Sequence, residues 1–185
     1  MRIISGEHRG RKLFAPEGDE TRPTSDRVKE ALFNIISARV YGSVVLDMFS
    51  GSGALALEAL SRGAEYAVLC DMSPKACAVI SRNIEGCRME NRAKLIRGDC
   101  IAALSRLDRQ FDLVFMDPPY RLHDIYCKAL TELKRTDRLK NDALIVMEHE
   151  AAFDLTAVPE GFAVTDKRNY KDTCITFCTY TKKED

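Results

Sequence analysis

The sequence predicts an α/β fold. It is a mostly parallel, seven-stranded, doubly wound sheet with helices on both faces, preceded by an N-terminal β-hairpin and a helix. Three observations predict it. From residue 44 onward, short apolar runs alternate with helical periodicity. Several of those runs are apolar throughout, as strands covered on both faces are. Four of them end at or beside an aspartate, Asp47, Asp71, Asp99 and Asp117, and open α/β sheets bind ligands at the carboxyl ends of their strands.

Taken in order, Arg2–Ser5 and Arg9–Ala15 alternate around Gly6-Glu7-His8 and read as a small hairpin. A loop over Pro16–Pro23 leads to a helix over Ser25–Ala38, where Val28, Ala31, Leu32, Ile35 and Ile36 recur at helical spacing and predict the buried face. Thr24 or Ser25 can cap that helix, and Gly42 helps to end the turn after it. Strands follow at Ser43–Asp47, Tyr66–Cys70, Ala93–Arg97, Phe111–Met116 and Ala143–Glu148. Between them lie helices over Ala54–Arg62, Ser73–Cys87 with proline at its first position, Ile101–Leu107 and His123–Arg135. Two last strands, Phe162–Asp166 and Thr173–Tyr180, are joined by a short polar link and predict an antiparallel pair at one edge. The tail Lys182–Asp185 is expected to be disordered.

The 185 residues fit one domain, with a basic hairpin and loop over 1–23, a helical segment over 24–40 and a doubly wound core over 43–181. A composition of 45% hydrophobic and 30% charged residues is that of a soluble globular protein. No apolar run approaches the roughly eighteen residues of a membrane span, and the opening Met1–Gly6 is too polar for a signal peptide. Seven scattered cysteines without a C-x-x-C argue against zinc or a disulfide framework, and for a reducing cytoplasm. Net charge is zero, yet Arg2, His8, Arg9, Arg11 and Lys12 crowd the start, followed by Arg22, Arg27 and Lys29. That edge reads as a local phosphate-contacting patch; the bland alternative is a solvated face.

The chemistry concentrates at the strand ends. Asp47-Met48-Phe49-Ser50-Gly51-Ser52-Gly53 leaves a strand and enters a helix, and its glycines let backbone approach a ligand closely. Asp71, with Met72 after it, stands twenty residues beyond Gly51, where doubly wound folds grip a ribose diol. Gly98-Asp99-Cys100 offers an acid and a backbone N–H for an adenine edge. Asp117-Pro118-Pro119-Tyr120 closes the fourth strand: the prolines stop it, the Asp117 carboxylate and Pro118 carbonyl accept hydrogen bonds, and Tyr120 supplies a ring face. Such a cluster suits a planar base with an exocyclic NH2. Each acid alone also reads as a helix cap or surface turn; four at successive strand ends make that reading poor for the set. Asp47, ahead of the glycines, suits a cationic ammonium where a pyrophosphate would be repelled. The first turn therefore points to S-adenosylmethionine rather than to a nicotinamide dinucleotide.

Asp47–Gly53, Asp71, Asp99 and Asp117–Tyr120 resemble the class I, Rossmann-like S-adenosylmethionine-dependent methyltransferases that act on exocyclic amino groups of DNA, RNA or protein glutamine. Arg2–Gly6, Arg9–Leu13 and Arg22–Asn34 narrow the resemblance to the RsmD family of bacterial small-subunit (16S) rRNA guanine-N2 methyltransferases. The likeness spans nearly the whole chain and weakens after Arg121. It implies a cytoplasmic enzyme whose partner is ribosomal RNA in the small ribosomal subunit, with no metal, no membrane and a monomeric state. It also implies catalytic roles for Asp117, Pro118, Pro119 and Tyr120. The cofactor set would be Asp47, Phe49, Ser50, Gly51, Gly53, Asp71, Met72, Asp99, Cys100 and Thr24; Arg22 and Thr24 lie where the chain could close over the cofactor. A DNA amino-methyltransferase is a rival, weakened because no segment is left for a target-recognition domain. A non-catalytic RNA-binding assembly factor is another, opposed by Asp117–Tyr120. His123 and His149 are expected to be surface or structural histidines.

Overall fold

The structure, a computed structural model, describes residues 1–16, 26–119, 124–153, 155 and 157–182. These form one sheet from β1 (Val44–Asp47), β2 (Tyr66–Asp71), β3 (Ala93–Arg97), β4 (Phe111–Met116), β5 (Leu139–Glu150), β6 (Phe162–Tyr170) and β7 (Thr173–Tyr180). The helices are α1 (Asp26–Ile35), α2 (Ala54–Ser61), α3 (Pro74–Gly86), α4 (Cys100–Ala103) and α5 (Ile125–Arg135). The strand order is β3-β2-β1-β4-β5-β7-β6. Strands β1 to β5 pair in parallel, and β7 is antiparallel to both β5 and β6. The order reverses between β1 and β4, so the carboxyl ends of those two strands flank the switch point where such sheets hold ligands.

All four residues of β1 are buried, because side chains alternate between two covered faces. Val45 packs with Leu57, Leu60, Leu113 and Phe115 against α1, α2 and α3. Leu46 packs with Val68, Val114, Leu104 and Leu130 against α4 and α5. Among the described residues no helix is long and apolar enough to cross a membrane. The cysteines behave as small core residues: six of the seven are buried, and all are unpaired.

Helix α1 keeps Leu32 and Ile36 of its predicted face buried and packs Val28 on the core, but the buried face is rotated toward Lys29 and Phe33 and away from Ile35. Lys29, Leu32, Phe33 and Ile36 are buried, whereas Ile35 is 43% exposed. The polar member of that face, Lys29, is buried in an ion pair. Lys29 Nζ lies 3.3 Å from Glu58 on α2 and donates to the Arg2 carbonyl at 2.6 Å. Burial lowers the Lys29 pKa, and Glu58 opposes the shift. Lys29 is therefore removed from the surface that the sequence assigned to phosphate contacts.

The predicted N-terminal hairpin forms as a short antiparallel strap that lies across the end of α2. Its arms share one isolated bridge, Arg2 to Lys12, and across them the Ile3 amide donates to the Arg11 carbonyl, the Gly10 amide to the Ile3 carbonyl and the Leu13 amide to the Met1 carbonyl. Glu58 accepts the Ile4 and Ser5 amides at 2.7 and 3.0 Å and also pairs with Arg62 at 2.7 Å. Ser61 takes the Glu7 amide on its carbonyl and the His8 amide on its hydroxyl. Gly6 sits where the strap crosses the end of α2, at φ 84°, and a Cβ there would overlap the Ser61 carbonyl. Gly6→Ala is expected to destabilise the protein by about 1–3 kcal/mol through this overlap, read as a lower thermal midpoint. An unchanged midpoint would show that the strap can lift without cost.

Candidate active site

The loop between β1 and α2 is tied to β2 by its own serine. Ser50 Oγ donates to the Asp47 carbonyl at 2.8 Å and accepts the Cys70 amide at 2.9 Å, while the Ser50 amide donates to the Cys70 carbonyl at 2.9 Å. The two glycines serve different needs. Gly51, at φ 56°, has nothing within 4 Å of where a Cβ would stand and so leaves an open backbone face. Gly53, at φ 78°, would push a Cβ to 2.9 Å from Leu69. Phe49, beside them, is half-buried against the core face that holds Leu46 and Met48.

The four acids reach the same end of the sheet in different states. Asp47 is only 2% exposed, and its carboxylate accepts a long bond from the Ala56 amide at 3.4 Å. Burial raises its pKa from 3.8 to about 7, partly opposed by that amide. Asp71 is half-buried; one oxygen accepts the Gly51 amide and the other the Ser73 amide, each at 2.8 Å. Asp71 thus holds the glycine turn in place, and each oxygen keeps a further lone pair. Asp99 is exposed and caps α4, its Oδ1 accepting the Ile101 and Ala102 amides at 2.8 and 3.3 Å. For that oxygen the cap reading holds. Cys100, just after it, is buried, and its thiol pKa is raised by contact with the Cys70 thiol and by burial.

Asp117 leaves β4 at the switch point. Asp47 pairs with Phe115 across β1 and β4, which puts Asp117 two residues beyond that level. Burial raises its pKa well above the usual carboxyl range, and the charges of Glu148 and Asp47 push the same way. Pro118 is buried beneath the turn and Pro119 is exposed. Glu148 was not anticipated. It follows Met147, the partner of Met116, so the register brings it beside Asp117 at the end of β5. The signal was available, since Glu148 also closes an apolar run. His149 is structural, as expected: it is 2% exposed and held by Thr176 Oγ1 at 2.8 Å and the Glu150 carbonyl at 2.9 Å.

Tyr120, Arg22, Thr24 and His123 lie outside the described residues. Of the basic edge, Arg2 pairs with Asp26 at 3.1 Å, Arg11 donates to the Gly86 carbonyl, and His8 is half-buried 3.8 Å from Glu7. Arg9, Lys12 and Arg27 are exposed, with no ion pair among the described residues. Arg2, Arg9 and Arg27 line a cavity of about 400 Å³ between the strap and α1, together with Asp26 and Glu30. No group of His, Cys, Asp or Glu among the described residues could hold a metal ion.

Residues 1–179 match the protein family described as Conserved hypothetical protein 95, the RsmD family. The chain belongs to this family. Among its relatives, ribosomal RNA small subunit methyltransferase D of Escherichia coli K12 is 35% identical over 164 residues, covering 89% of this chain and 82% of that one. The protein of the same name from Haemophilus influenzae is 36% identical over 153 residues, covering 81% and 79%. In three dimensions the Escherichia coli protein yhhF superposes with a TM-score of 0.87 at 32% identity, over 98% of both chains. The RsmD family match includes the strap and α1 as well as the sheet, so the N-terminal segment is part of what the family shares.

The residues at the strand ends fit the group that a class I methyltransferase fold implies. Asp47 is a buried carboxyl suited to a cation, the open face of Gly51 admits a close approach, and Asp71 keeps acceptor capacity for a diol. Met72, 71% exposed beside Asp71, offers an apolar surface for a flat ring. An amino acid joined to a nucleoside has these three parts.

Proposed function

We propose that the protein transfers a methyl group from S-adenosylmethionine to the exocyclic N2 of a guanine in small-subunit ribosomal RNA, on the subunit or its assembly intermediate. The observation that carries this reading is Asp117-Pro118 at the switch point, beside the buried Asp47 and across from the open glycine turn. Bound there, S-adenosylmethionine supplies an electrophilic methyl group on a sulfonium. Asp47 would hold its ammonium, Asp71 its ribose, and Met72 with Asp99 and Cys100 its adenine; Phe49, Ser50, Gly51 and Gly53 shape the turn around it.

Asp117 and the Pro118 carbonyl accept the two N–H bonds of the guanine amine. That orientation turns the nitrogen lone pair out of conjugation and toward the methyl group, and positioning supplies much of the acceleration. As the N–C bond forms and the methyl–sulfur bond breaks, with S-adenosylhomocysteine as the neutral leaving group, positive charge develops on nitrogen and the Asp117 carboxylate would stabilise it. The nitrogen then sheds one proton. Asp117, whose surroundings make it hold a proton more tightly than an ordinary carboxylate, is the acceptor that passes it to solvent. Tyr120 would hold the base by stacking, worth roughly 1–3 kcal/mol, and a stacked guanine must first be flipped out or already exposed. Arg9, Lys12 and Arg27, with Arg2, would contact RNA phosphates on the strap face.

The test is transfer of labelled methyl from S-adenosylmethionine to small subunits lacking the modification, to free small-subunit rRNA and to duplex DNA. N2-methylguanosine from the subunits or the rRNA is the expected product. Label in DNA alone would overturn the RNA assignment. In the same assay system, Asp71→Ala is expected to weaken cofactor binding by a charge-assisted contact worth about 1.5–3 kcal/mol. The loss should appear in cofactor affinity by calorimetry, since the variant also frees the Gly51 amide; unchanged affinity would remove Asp71 from the site.

A further inference from the structure

Asn83 is a polar side chain on the core-facing side of α3, 2% exposed, one turn from Ile80 and next to Ile84. Its carboxamide is almost saturated. Nδ2 donates to the Ser52 carbonyl at 2.8 Å and to the Phe14 carbonyl at 2.9 Å, and Oδ1 accepts the Phe14 amide at 2.9 Å. The Phe14 amide needs an acceptor and the two carbonyls need donors, so only this amide orientation satisfies all three.

The two segments it joins have different tasks. Ser52 stands between Gly51 and Gly53 in the turn after β1, and two glycines at positive φ leave the peptides between them poorly constrained by local sterics. Phe14 belongs to the strap. Other contacts support the same junction: the Arg82 guanidinium lies 3.4 Å from the centre of the Phe14 ring, and Ser52 Oγ donates to Met1 Sδ at 3.5 Å. Leucine could fill the volume of Asn83, but it would leave three backbone groups without partners.

We infer that Asn83 is a positioning residue that couples the strap to the cofactor turn, so that RNA on the strap and S-adenosylmethionine in the turn strengthen each other's binding. The inference rests on the proposed function, in which the strap touches RNA and the turn holds the methyl donor. RNA that fixes the strap fixes Phe14; Phe14 fixes the Asn83 carboxamide, and that carboxamide fixes the Ser52 peptide. Linkage makes the effect reciprocal: the cofactor must tighten RNA binding by the same factor.

The experiment measures the affinity of S-adenosylhomocysteine, which cannot donate a methyl group, with and without small ribosomal subunits lacking the modification. It also measures subunit affinity with and without S-adenosylhomocysteine. The intact protein is expected to show a mutual tightening of about fivefold or more, and Asn83→Leu about twofold or less. Because Asn83 is buried, Phe14→Gly at a 46% exposed position provides a second variant: it keeps the backbone bonds to Asn83 but removes the ring that Arg82 covers and loosens the backbone that carries those bonds, and is expected to reduce the coupling. Intact protein that binds both ligands without coupling would overturn the inference while leaving the proposed function standing. So would a variant that melts at a lower temperature yet keeps the full coupling, since that is the signature of a merely structural residue. Failure of the intact protein to bind S-adenosylhomocysteine at all would overturn the proposed function, and this inference with it.

Discussion

Asp117→Asn is expected to lower turnover by about 10²–10³-fold, by analogy with the loss of one charge-stabilising group, while leaving affinity for S-adenosylmethionine nearly unchanged. The substitution keeps the volume and one acceptor oxygen but removes the charge that would face the nitrogen as it becomes positive. It also removes the group that would take the nitrogen's proton. Both losses fall on the transition state, so kcat and kcat/KM should drop together. The neighbourhood makes a second expectation. Ionised Asp117 lies near Glu148 and Asp47 in a site where burial already disfavours charge. The neutral variant should therefore be no less stable than the parent above neutral pH, and a fall in activity cannot be ascribed to unfolding. Single-turnover methyl transfer on saturated subunits, with calorimetry of cofactor binding, checks both points. Near-normal turnover would leave orientation to the Pro118 carbonyl and exclude Asp117 from the chemistry.

The sequence revealed most where apolar runs met turn residues. Ala93–Arg97, Phe111–Met116 and Thr173–Tyr180 are strands with the predicted ends, since each run is bounded by polar or glycine residues. Three of the acids at the strand ends were visible for the same reason: Asp47, Asp71 and Asp117 are each the first charge after, or at the end of, an apolar run, whereas Asp99 follows Arg97 and a glycine. What stayed hidden was polarity working inside the molecule or at its edges. β5 begins at Leu139, but Lys140, Asn141 and Asp142 are exposed, and Asp142 adopts φ 63° at an irregular pairing with β4. β6 continues to Tyr170 through a polar stretch, because an edge strand needs only backbone pairing with β7. Lys29 was assigned to the surface because lysine is seldom buried; a sequence does not show that Glu58, 29 positions away, lies underneath it. Asn83 was invisible on similar grounds, its three partners being distant in the chain. The guanine N2 acceptor is not written in these side chains at all, since the Asp117–Pro118 acceptors would serve any exocyclic amine.

Asp47→Asn is expected to separate stability from binding in opposite directions. In the folded protein without ligand, burial raises the Asp47 pKa from 3.8 to about 7. A carboxyl with a raised folded pKa costs nothing below the unfolded value, where both states are protonated. The cost grows as pH rises from 3.8 to about 7, because the unfolded chain ionises first, and it is constant above that. At about 1.4 kcal/mol per pH unit the full cost is roughly 4 kcal/mol at pH 8. Asparagine escapes it and still offers an acceptor to the Ala56 amide. The variant should thus melt higher at pH 8, by roughly 5–15 °C for a chain of this size, and no differently near pH 3. Binding should go the other way, with a loss of about 1.5–3 kcal/mol, or roughly 10–150-fold in cofactor affinity, for the missing charge-assisted contact. The pH profile ties the two together. In the parent, cofactor affinity should rise about tenfold per pH unit as Asp47 ionises up to its pKa, then fall once the ligand's amine, near pKa 8, loses its proton. In the variant the rising limb should be gone. Calorimetric titrations from pH 5.5 to 8.5 decide it: a parent profile flat below pH 7 would mean that Asp47 is already ionised, and that the strain attributed to it is absent. Stability given up by a buried acid and recovered when a cation arrives is the expected behaviour of a binding residue, and no structural role for Asp47 would give the same pair of changes.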